Sequence, residues 1–185
     1  MNRKETTRFL SDLLISKKFS GMGKYWAREV SIDPFRSKES GLSKRVDFMQ
    51  FIPPGQTTVS AIEKGIFVCY EIKSCREDVF SGNGLNFIGE KNYIVTTMQG
   101  YKDILPDYRS GALNGHINKL NGRISNYGIL VAMPDGADPF EEMNEPTPLE
   151  TKCTWKLSTM IKCFDGLREK SMAELLFCML RSGKN

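Results

Sequence analysis

The sequence has no long hydrophobic run, a single histidine and no paired-cysteine motif, and each of these absences excludes a class of protein. Nowhere does it contain the roughly 18 consecutive apolar residues that a membrane-spanning helix needs. Its first residues, MNRKETTRFLSDLL, lack the apolar block and the small-residue cleavage site of a secretory signal. We therefore expect a cytoplasmic protein that has no membrane partner.

The cysteine and histidine content argues against a disulfide framework and against nitrogen or sulfur metal sites. The five cysteines are odd in number and irregularly spaced, so we expect reduced thiols. His116, the single histidine, lies in the polar stretch GALNGHINKLNG, which we interpret as a surface loop. Catalysis by histidine is therefore not expected. The sequence also gives no reason to expect an organic cofactor.

The composition is that of an ordinary globular protein, but the charge is unevenly distributed. With 185 residues, 40% of them hydrophobic and 26% charged, the chain is long enough for one domain, 1–185. Residues 1–46 contain eleven Lys or Arg against five Asp or Glu, whereas residues 135–150 contain six acids and no base. A basic surface of this kind favours a polyanionic partner, although a solvated basic face is the simpler explanation.

Hydrophobic periodicity predicts a helix, three strands, a crossover, further strands and a terminal helix. This order favours an α/β or α+β fold with one central mixed sheet flanked by helices. We predict a short helix plus loop over residues 98–126 and a helical C-terminal segment over about 151–182. The first helix is predicted in ETTRFLSDLLISKKF, and the strands in KYWAREVSID, KRVDFMQFI, GIFVCYEIKSC, NYIVTT and YGILVAMP.

The third of these strands, at residues 65–75, is strongly apolar yet ends in the sequence Glu71, Ile72, Lys73. Because side chains alternate along a strand, Glu71 and Lys73 share one face, about 7 Å apart at their backbones. The preceding strand carries Asp47 between apolar residues. If the two strands form an antiparallel pair, Asp47 lies beside Glu71, and two carboxylates and one ammonium meet at one place.

Two carboxylates that are buried side by side have to be neutralised, either by protonation or by a cation. Mg²⁺ prefers hard oxygen ligands and takes one or two carboxylates, with water and substrate phosphate oxygens in its other positions. It polarises a phosphodiester and activates water, and a neighbouring lysine can orient or help deprotonate that water. The set therefore indicates metal-assisted phosphodiester hydrolysis, with Asp47, Glu71 and Lys73 catalytic and Asp47 and Glu71 binding Mg²⁺ or Mn²⁺.

An acid followed two residues later by lysine is common, so a structural explanation stands beside the catalytic one. The pair Glu71 and Lys73 can also be an exposed cross-strand ion pair at a sheet edge. The chain has a second instance, Glu150 and Lys152, in a polar, proline-bearing segment that we interpret as a solvated surface. A strong strand, with an aspartate on the strand before it, distinguishes the first instance from the second.

These residues resemble the PD-(D/E)XK nuclease superfamily, whose core has the order αβββαβ. The residues that carry the resemblance are Val46 and Asp47, followed by the EIK of residues 71–73. The segment YEIKSCREDVF is also similar to the MmcB-type DNA repair family and to related phage proteins. The resemblance covers about residues 5–133, together with the C-terminal AELLFCMLRSG. It implies a restriction-endonuclease-like fold and metal-dependent cleavage of DNA.

By the same resemblance, Asp47, Glu71 and the backbone carbonyl of Ile72 would be metal ligands, and Lys73 the catalytic lysine. Ser74 and Asp78 match positions that would support the site. Glu29, on the first predicted strand, is a further supporting candidate, with an ordinary surface carboxylate as its alternative. The departures are Val46 where the motif has proline, and the glycines of VFSGNGLNFIGEK, which interrupt the expected crossover helix.

The sequence thus predicts a Mg²⁺-dependent nuclease that acts on DNA, in repair or in the DNA processing of a phage or mobile element. The alternative is a non-catalytic module on the same fold that binds DNA or a protein. A small-molecule enzyme is a third possibility, but no motif supports it. The sequence leaves open whether the DNA is duplex or single-stranded, whether cleavage is internal or terminal, and whether the protein forms a homodimer.

Overall fold

A computed structural model of the chain describes residues 1–32, 44–55 and 58–182. Its centre is one six-stranded mixed sheet in which the strands follow their chain order, β1 to β6. The β3–β4 and β4–β5 pairs are parallel, and the other three pairs are antiparallel. The strands are β1 (Tyr25–Ser31), β2 (Arg45–Ile52), β3 (Ile66–Ile72), β4 (Lys91–Thr97), β5 (Gly128–Pro134) and β6 (Trp155–Ile161).

Helices flank this sheet, which confirms the predicted α+β architecture in its coarse form. The first helix begins with a capping box, in which Asn2 and Glu5 exchange side-chain to backbone hydrogen bonds. The helices are α1 (Arg3–Leu14), continued by a π-helical turn (Ile15–Phe19), α2 (Val59–Ile62), α3 (Arg76–Val79), α4 (Met98–Ser110), α5 (Ala112–Asn121), α6 (Pro139–Asn144) and α7 (Met172–Ser182).

The core has two layers, one on each face of the sheet. On one face, Leu10 and Leu14 of α1 pack against alternate residues of β3, among them Tyr70. On the other face, α7 packs over β1 to β3, where Phe67 and Cys69 contribute to the core. Helices α4 and α5 cover β4 and β5 on that second face. The predicted alternation of β3 is therefore confirmed, with Val68, Tyr70 and Ile72 toward α1.

Two predicted segments differ from the structure. Residues 155–161, which we placed in a C-terminal helical segment, form the edge strand β6, antiparallel to β5. Trp155 is buried against the α1 face, which favours the strand at this edge. The region predicted as a short helix plus loop contains two helices, α4 and α5, which meet at Gly111 in the left-handed conformation. His116 accordingly lies on α5, with its ring against Phe80, and not in a surface loop.

Some sequence predictions concern residues outside the described ranges. Arg36 and Lys38 of the basic N-terminal block and Gly183 of the C-terminal motif lie there. Within the described part of the chain, no helix combines the length and the apolar character needed to cross a bilayer.

The sheet brings the ends of three neighbouring strands to one place. The carboxyl end of β3 lies beside the start of β2, because these two strands are antiparallel. The end of β1 lies next to the same start of β2. This corner of the sheet carries the candidate site.

Candidate active site

The antiparallel pairing of β2 and β3 brings Asp47 beside Glu71, as the sequence predicts. Phe48 is paired with Tyr70, and the same register continued by one residue puts Asp47 opposite Glu71. The ladder ends there, and the N–H of Ile72 donates to Asp47 Oδ2 at 2.8 Å. A side-chain carboxylate thus replaces a backbone acceptor at the point where the two strands separate.

Glu71 is a fully buried carboxylate with one unsatisfied oxygen. Its side chain is 0% exposed, and Oε1 accepts the N–H of Asn86 at 3.2 Å. Oε2 is buried without any hydrogen-bond partner. Burial, and then the nearby charge of Asp47, raise the pKa of Glu71 well above its ordinary value, against the opposing effect of Lys73. A buried oxygen without a partner is costly, so this carboxylate is arranged for something other than stability.

Asp47 lies beside Glu71, and burial disfavours the charged form of its carboxylate as well. Burial raises its pKa, while the hydrogen bond from Ile72 and the charges of Lys73 and Arg45 lower it. Val46 and Phe48 flank Asp47 yet pack in the cores on opposite faces of the sheet. In a regular strand these two residues would share a face, so the backbone of β2 is irregular at Asp47.

Lys73 follows directly after β3 and is 4% exposed. Its Nζ donates to the backbone carbonyl of Asn83 at 2.7 Å. The loop after α3 holds this ammonium near Glu71. Both side chains lie against Gly84 of that loop, where an added Cβ would be 3.0 Å from Lys73 Nζ and 2.6 Å from Glu71 Oε2. Gly84 has a φ of +72°, which also favours glycine. The SGNG segment is therefore a tight loop over the site.

Ser74 and Asp78 lie next to this cluster, where the sequence predicts supporting residues. Both the N–H and the Oγ of Ser74 donate to Asp78 Oδ2 at 3.1 Å. The other oxygen of Asp78 accepts from the guanidinium of Arg3 on α1. Asp78 therefore fixes the turn after Lys73 and connects it to the first helix.

Glu29 also reaches the site, from β1. Arg28 is paired with Phe48 and Val30 with Val46, so Glu29 lies opposite Asp47, but the ladder skips this position. Its φ is +53°, a strained conformation for a residue with a side chain. Its carboxylate pairs with Arg45 Nε at 2.6 Å. The two strained non-glycine residues of the described chain, Glu29 and Leu85, both adjoin this cluster.

A cavity of about 550 Å³ joins all of these groups, which is a volume typical of ligand sites. All the residues predicted from sequence line it or, as with Ser74, support its wall. Seven of the lining residues were not predicted from the sequence. Only the glycines of the SGNG loop gave any signal of them, as an interruption of the expected crossover helix. The missed residues are Arg3, Thr7, Ser31, Arg45, Asn83, Gly84 and Asn86.

The donor set fits a hard divalent cation. Two carboxylates lie together, one of them with an orphaned buried oxygen, and Gly84 leaves space where a side chain would touch that oxygen. No group of three or more His, Cys, Asp or Glu placed to bind a metal occurs among the described residues. A cation bound by Asp47 and Glu71 would therefore complete its shell with backbone carbonyl, water and phosphate oxygens, which is the ordinary coordination of Mg²⁺.

The second Glu-x-Lys instance differs from the first in its exposure to solvent. Glu150 and Lys152 are exposed, in agreement with the solvated surface that we expected there. Comparisons with family models, with curated proteins and with solved structures found nothing that matches this chain. The resemblance to the PD-(D/E)XK nucleases therefore depends on the sequence motif.

Proposed function

We propose that the protein is a Mg²⁺-dependent nuclease of the PD-(D/E)XK type that hydrolyses phosphodiester bonds of DNA. The observation that carries the proposal is the pair formed by half-buried Asp47 and fully buried Glu71, which has one unsatisfied carboxylate oxygen. Proteins ordinarily satisfy such groups, and a buried carboxylate pair that is left incomplete is typical of functional sites.

Each residue has a defined role in the proposed reaction. Asp47, Glu71 and the backbone carbonyl of Ile72 bind the cation, which supplies Lewis-acid activation of the phosphodiester and of water. Lys73 places a positive charge beside the carboxylates and orients the attacking water or stabilises the charge that develops on the phosphorus oxygens. Asp78 positions the turn that carries Lys73, through Ser74.

The element order supports the finer fold assignment that we propose, the restriction-endonuclease-like core. Helix α1 precedes β1, β2 and β3, and β4 then follows in parallel beside β3. The crossover between β3 and β4 contains one short helix, α3, of 4 residues. The glycines that follow it account for this shortness, since glycine disfavours helix.

The test is a cleavage assay with purified protein freed of metal by a chelator. Single-stranded, duplex and flapped DNA are incubated with Mg²⁺, Mn²⁺ or Ca²⁺. We expect cleavage with Mg²⁺ or Mn²⁺, none with chelator, and no change in this requirement when the DNA sequence is altered. Absence of cleavage of every DNA form in both metals, together with a Glu71→Ala variant that binds Mn²⁺ as tightly as the parent, would overturn the proposal.

A non-catalytic DNA-binding or protein-interaction module is the second candidate. The observation in its favour is the complete burial of Glu71 under the loop that contains Gly84. Under this alternative, the charged residues are structural and DNA binding is indifferent to metal and to Lys73→Ala. The same binding measurement in chelator and in Ca²⁺ separates the two candidates.

A further inference from the structure

We infer that Arg3 and Arg45 bind the backbone phosphates of the DNA on the two sides of the carboxylate pair, each positioned by its own acid. Asp78 positions Arg3, and Glu29 positions Arg45. The inference rests on the proposed function and adds to it the part of the DNA that the pocket contacts.

The pairing of Arg45 with Glu29 is the first observation behind it. Glu29 has the strained φ of +53° at the position where the β1–β2 ladder is skipped, and its carboxylate is held against Arg45 Nε. A regular strand would keep the ladder intact, so the irregular backbone sets the position of this pair. The carbonyl of Arg45 also accepts from Asn86, whose N–H donates to Glu71. Arg45 is therefore connected to Glu71 through its backbone and to Glu29 through its side chain.

Arg3 is the second observation, and it reaches the pocket from a different element. Its guanidinium contacts Asp78, which in turn accepts both the N–H and the hydroxyl of Ser74. Ser74 follows Lys73 in the chain. The two arginines thus approach from α1 and from the start of β2, and each is held by a carboxylate that lines the pocket.

Both guanidiniums have the exposure and the donors needed for a phosphate. The side chains of Arg3 and Arg45 are 64% and 57% exposed, although each is held by an acid. A guanidinium has five N–H donors in a planar fork that matches phosphate oxygens, and an acid contact through one nitrogen leaves most of them for a ligand. Each arginine is consequently positioned by its acid and keeps N–H donors that can bind a phosphate.

The lining of the pocket favours recognition of phosphate over recognition of bases. Among the described residues that line it, none is aromatic, so it offers no ring on which a base would stack. The charged residues are three cations and four carboxylates, so a bound divalent cation would make the formal charge of the pocket positive and favour a phosphate. The cations are Arg3, Arg45 and Lys73, and the carboxylates are Glu29, Asp47, Glu71 and Asp78.

The test measures binding and cleavage separately for Arg3→Gln, Arg45→Gln, Arg45→Lys and Glu29→Gln. Binding of fluorescein-labelled single-stranded and duplex DNA is followed by anisotropy in Ca²⁺ over a range of salt concentrations. The matched control is Arg8→Gln, because Arg8 is an exposed arginine that pairs with Asp12 on α1 and does not line the pocket.

We expect each arginine-to-glutamine change to raise the KM for DNA about tenfold or more. We also expect the slope of log binding constant against log salt concentration to decrease by about the amount that one phosphate contact contributes. Arg45→Lys recovers part of this loss, because it keeps the charge and loses the fork. Glu29→Gln raises KM more than it lowers kcat, as a positioning residue would. Arg8→Gln changes neither quantity.

Two results overturn the inference. One is unchanged KM and salt dependence in both arginine variants, provided that the parent cleaves DNA. The other is equal loss in Arg8→Gln, which would indicate a diffuse basic surface. If the parent protein cleaves no DNA, the proposed function fails. The phosphate contacts are still supported in that case if DNA binding depends on metal and requires both arginines. Thermal unfolding of each variant identifies any change due to misfolding.

Discussion

Two buried carboxylates lie at opposite ends of β3, and their surroundings differ. Glu90, beside the start of the strand, accepts the N–H of Phe67 at 2.8 Å and pairs with Arg168 Nη1 at 2.8 Å. Glu71, near the end of the strand, has one hydrogen bond of 3.2 Å and one orphaned oxygen. Both are nearly inaccessible, at 9% and 0% exposure.

The difference shows that burial by itself does not distinguish a structural acid from a functional one. The fold satisfies Glu90 with a backbone donor and a guanidinium, which is what stability requires of a buried charge. At Glu71 it places a second carboxylate nearby instead, and the charge of Asp47 adds to burial in raising the pKa of Glu71. A missing hydrogen-bond partner therefore distinguishes the functional carboxylate from the structural one better than burial does.

The largest expected effect is on cleavage. Glu71→Gln keeps the shape of the side chain and removes a metal ligand, so we expect metal-dependent cleavage to fall below detection. Glu90→Gln, at the other end of β3, is the matched change and leaves cleavage per folded molecule close to that of the parent. The assay compares both variants on the same DNA in Mg²⁺, and equal activity in the two variants would contradict the assignment of Glu71.

Lys73→Met is the next largest. It removes the ammonium and keeps an apolar side chain of similar length, and we expect kcat to fall about a hundredfold to ten thousandfold. Binding of Mn²⁺, measured by titration calorimetry, stays close to that of the parent because Lys73 is not a ligand. A variant that cleaves normally would make the lysine structural.

Two glycines of one loop provide a third comparison. Gly84 and Gly82 both have positive φ, +72° and +79°, so alanine at either position has a similar backbone cost of about 1 kcal/mol. An added Cβ meets Glu71 and Lys73 only at Gly84, since nothing lies within 4 Å of Gly82. We expect Gly84→Ala to lower kcat roughly tenfold beyond Gly82→Ala, because small displacements in a site are costly. An equal kcat in the two variants would show that this loop does not influence the site.

Stability is expected to change in opposite directions at the two ends of β3. In metal-free protein, at a pH above the raised pKa of Glu71, Glu71→Gln removes an unpartnered charge and should raise the free energy of unfolding by about 1 kcal/mol. Glu90→Gln weakens a satisfied ion pair and should lower it by about 1 to 3 kcal/mol. Urea denaturation in the presence of chelator measures both. A loss of stability in both variants would mean that Glu71 is structural.

The smallest effect is the pH dependence of that stability. The pKa of Glu71 is raised in the folded protein above its ordinary value of 4.5, so the folded state binds this proton more tightly than the unfolded chain does. The stability this provides is complete below 4.5 and is lost as the pH rises through the raised pKa. The stability of metal-free protein should therefore fall as the pH rises above 4.5 through the raised pKa of Glu71, and the stability of Glu71→Gln should fall less. A parallel pH profile in the variant would be the contrary result.

Sequence reasoning predicted the centre of the site because that centre follows from local rules. Alternation along β3 puts Glu71 and Lys73 on one face, and the antiparallel pairing with β2 brings Asp47 to them. Arg3 and Arg45 were not predictable in the same way. Arg3 reaches Asp78 across 75 residues of chain, and such a contact leaves no local pattern.

The secondary structure was predictable where the hydrophobic periodicity was strong, and the prediction was wrong where the periodicity was weak. Helix α1 and the first five strands follow their periodicity, whereas β6 is an edge strand with few fully buried positions and was placed in a helical segment. The strained backbone at Glu29 has no sequence signature, because only the paired strands show that its position is skipped.

The most direct test is a crystal of the protein soaked in Mn²⁺. We expect an anomalous peak between the carboxylates of Asp47 and Glu71, in contact with the Glu71 oxygen that has no protein partner. We expect no such peak at Glu90, whose oxygens are already satisfied. Well-ordered carboxylates at both places with no Mn²⁺ between Asp47 and Glu71 would contradict this expectation.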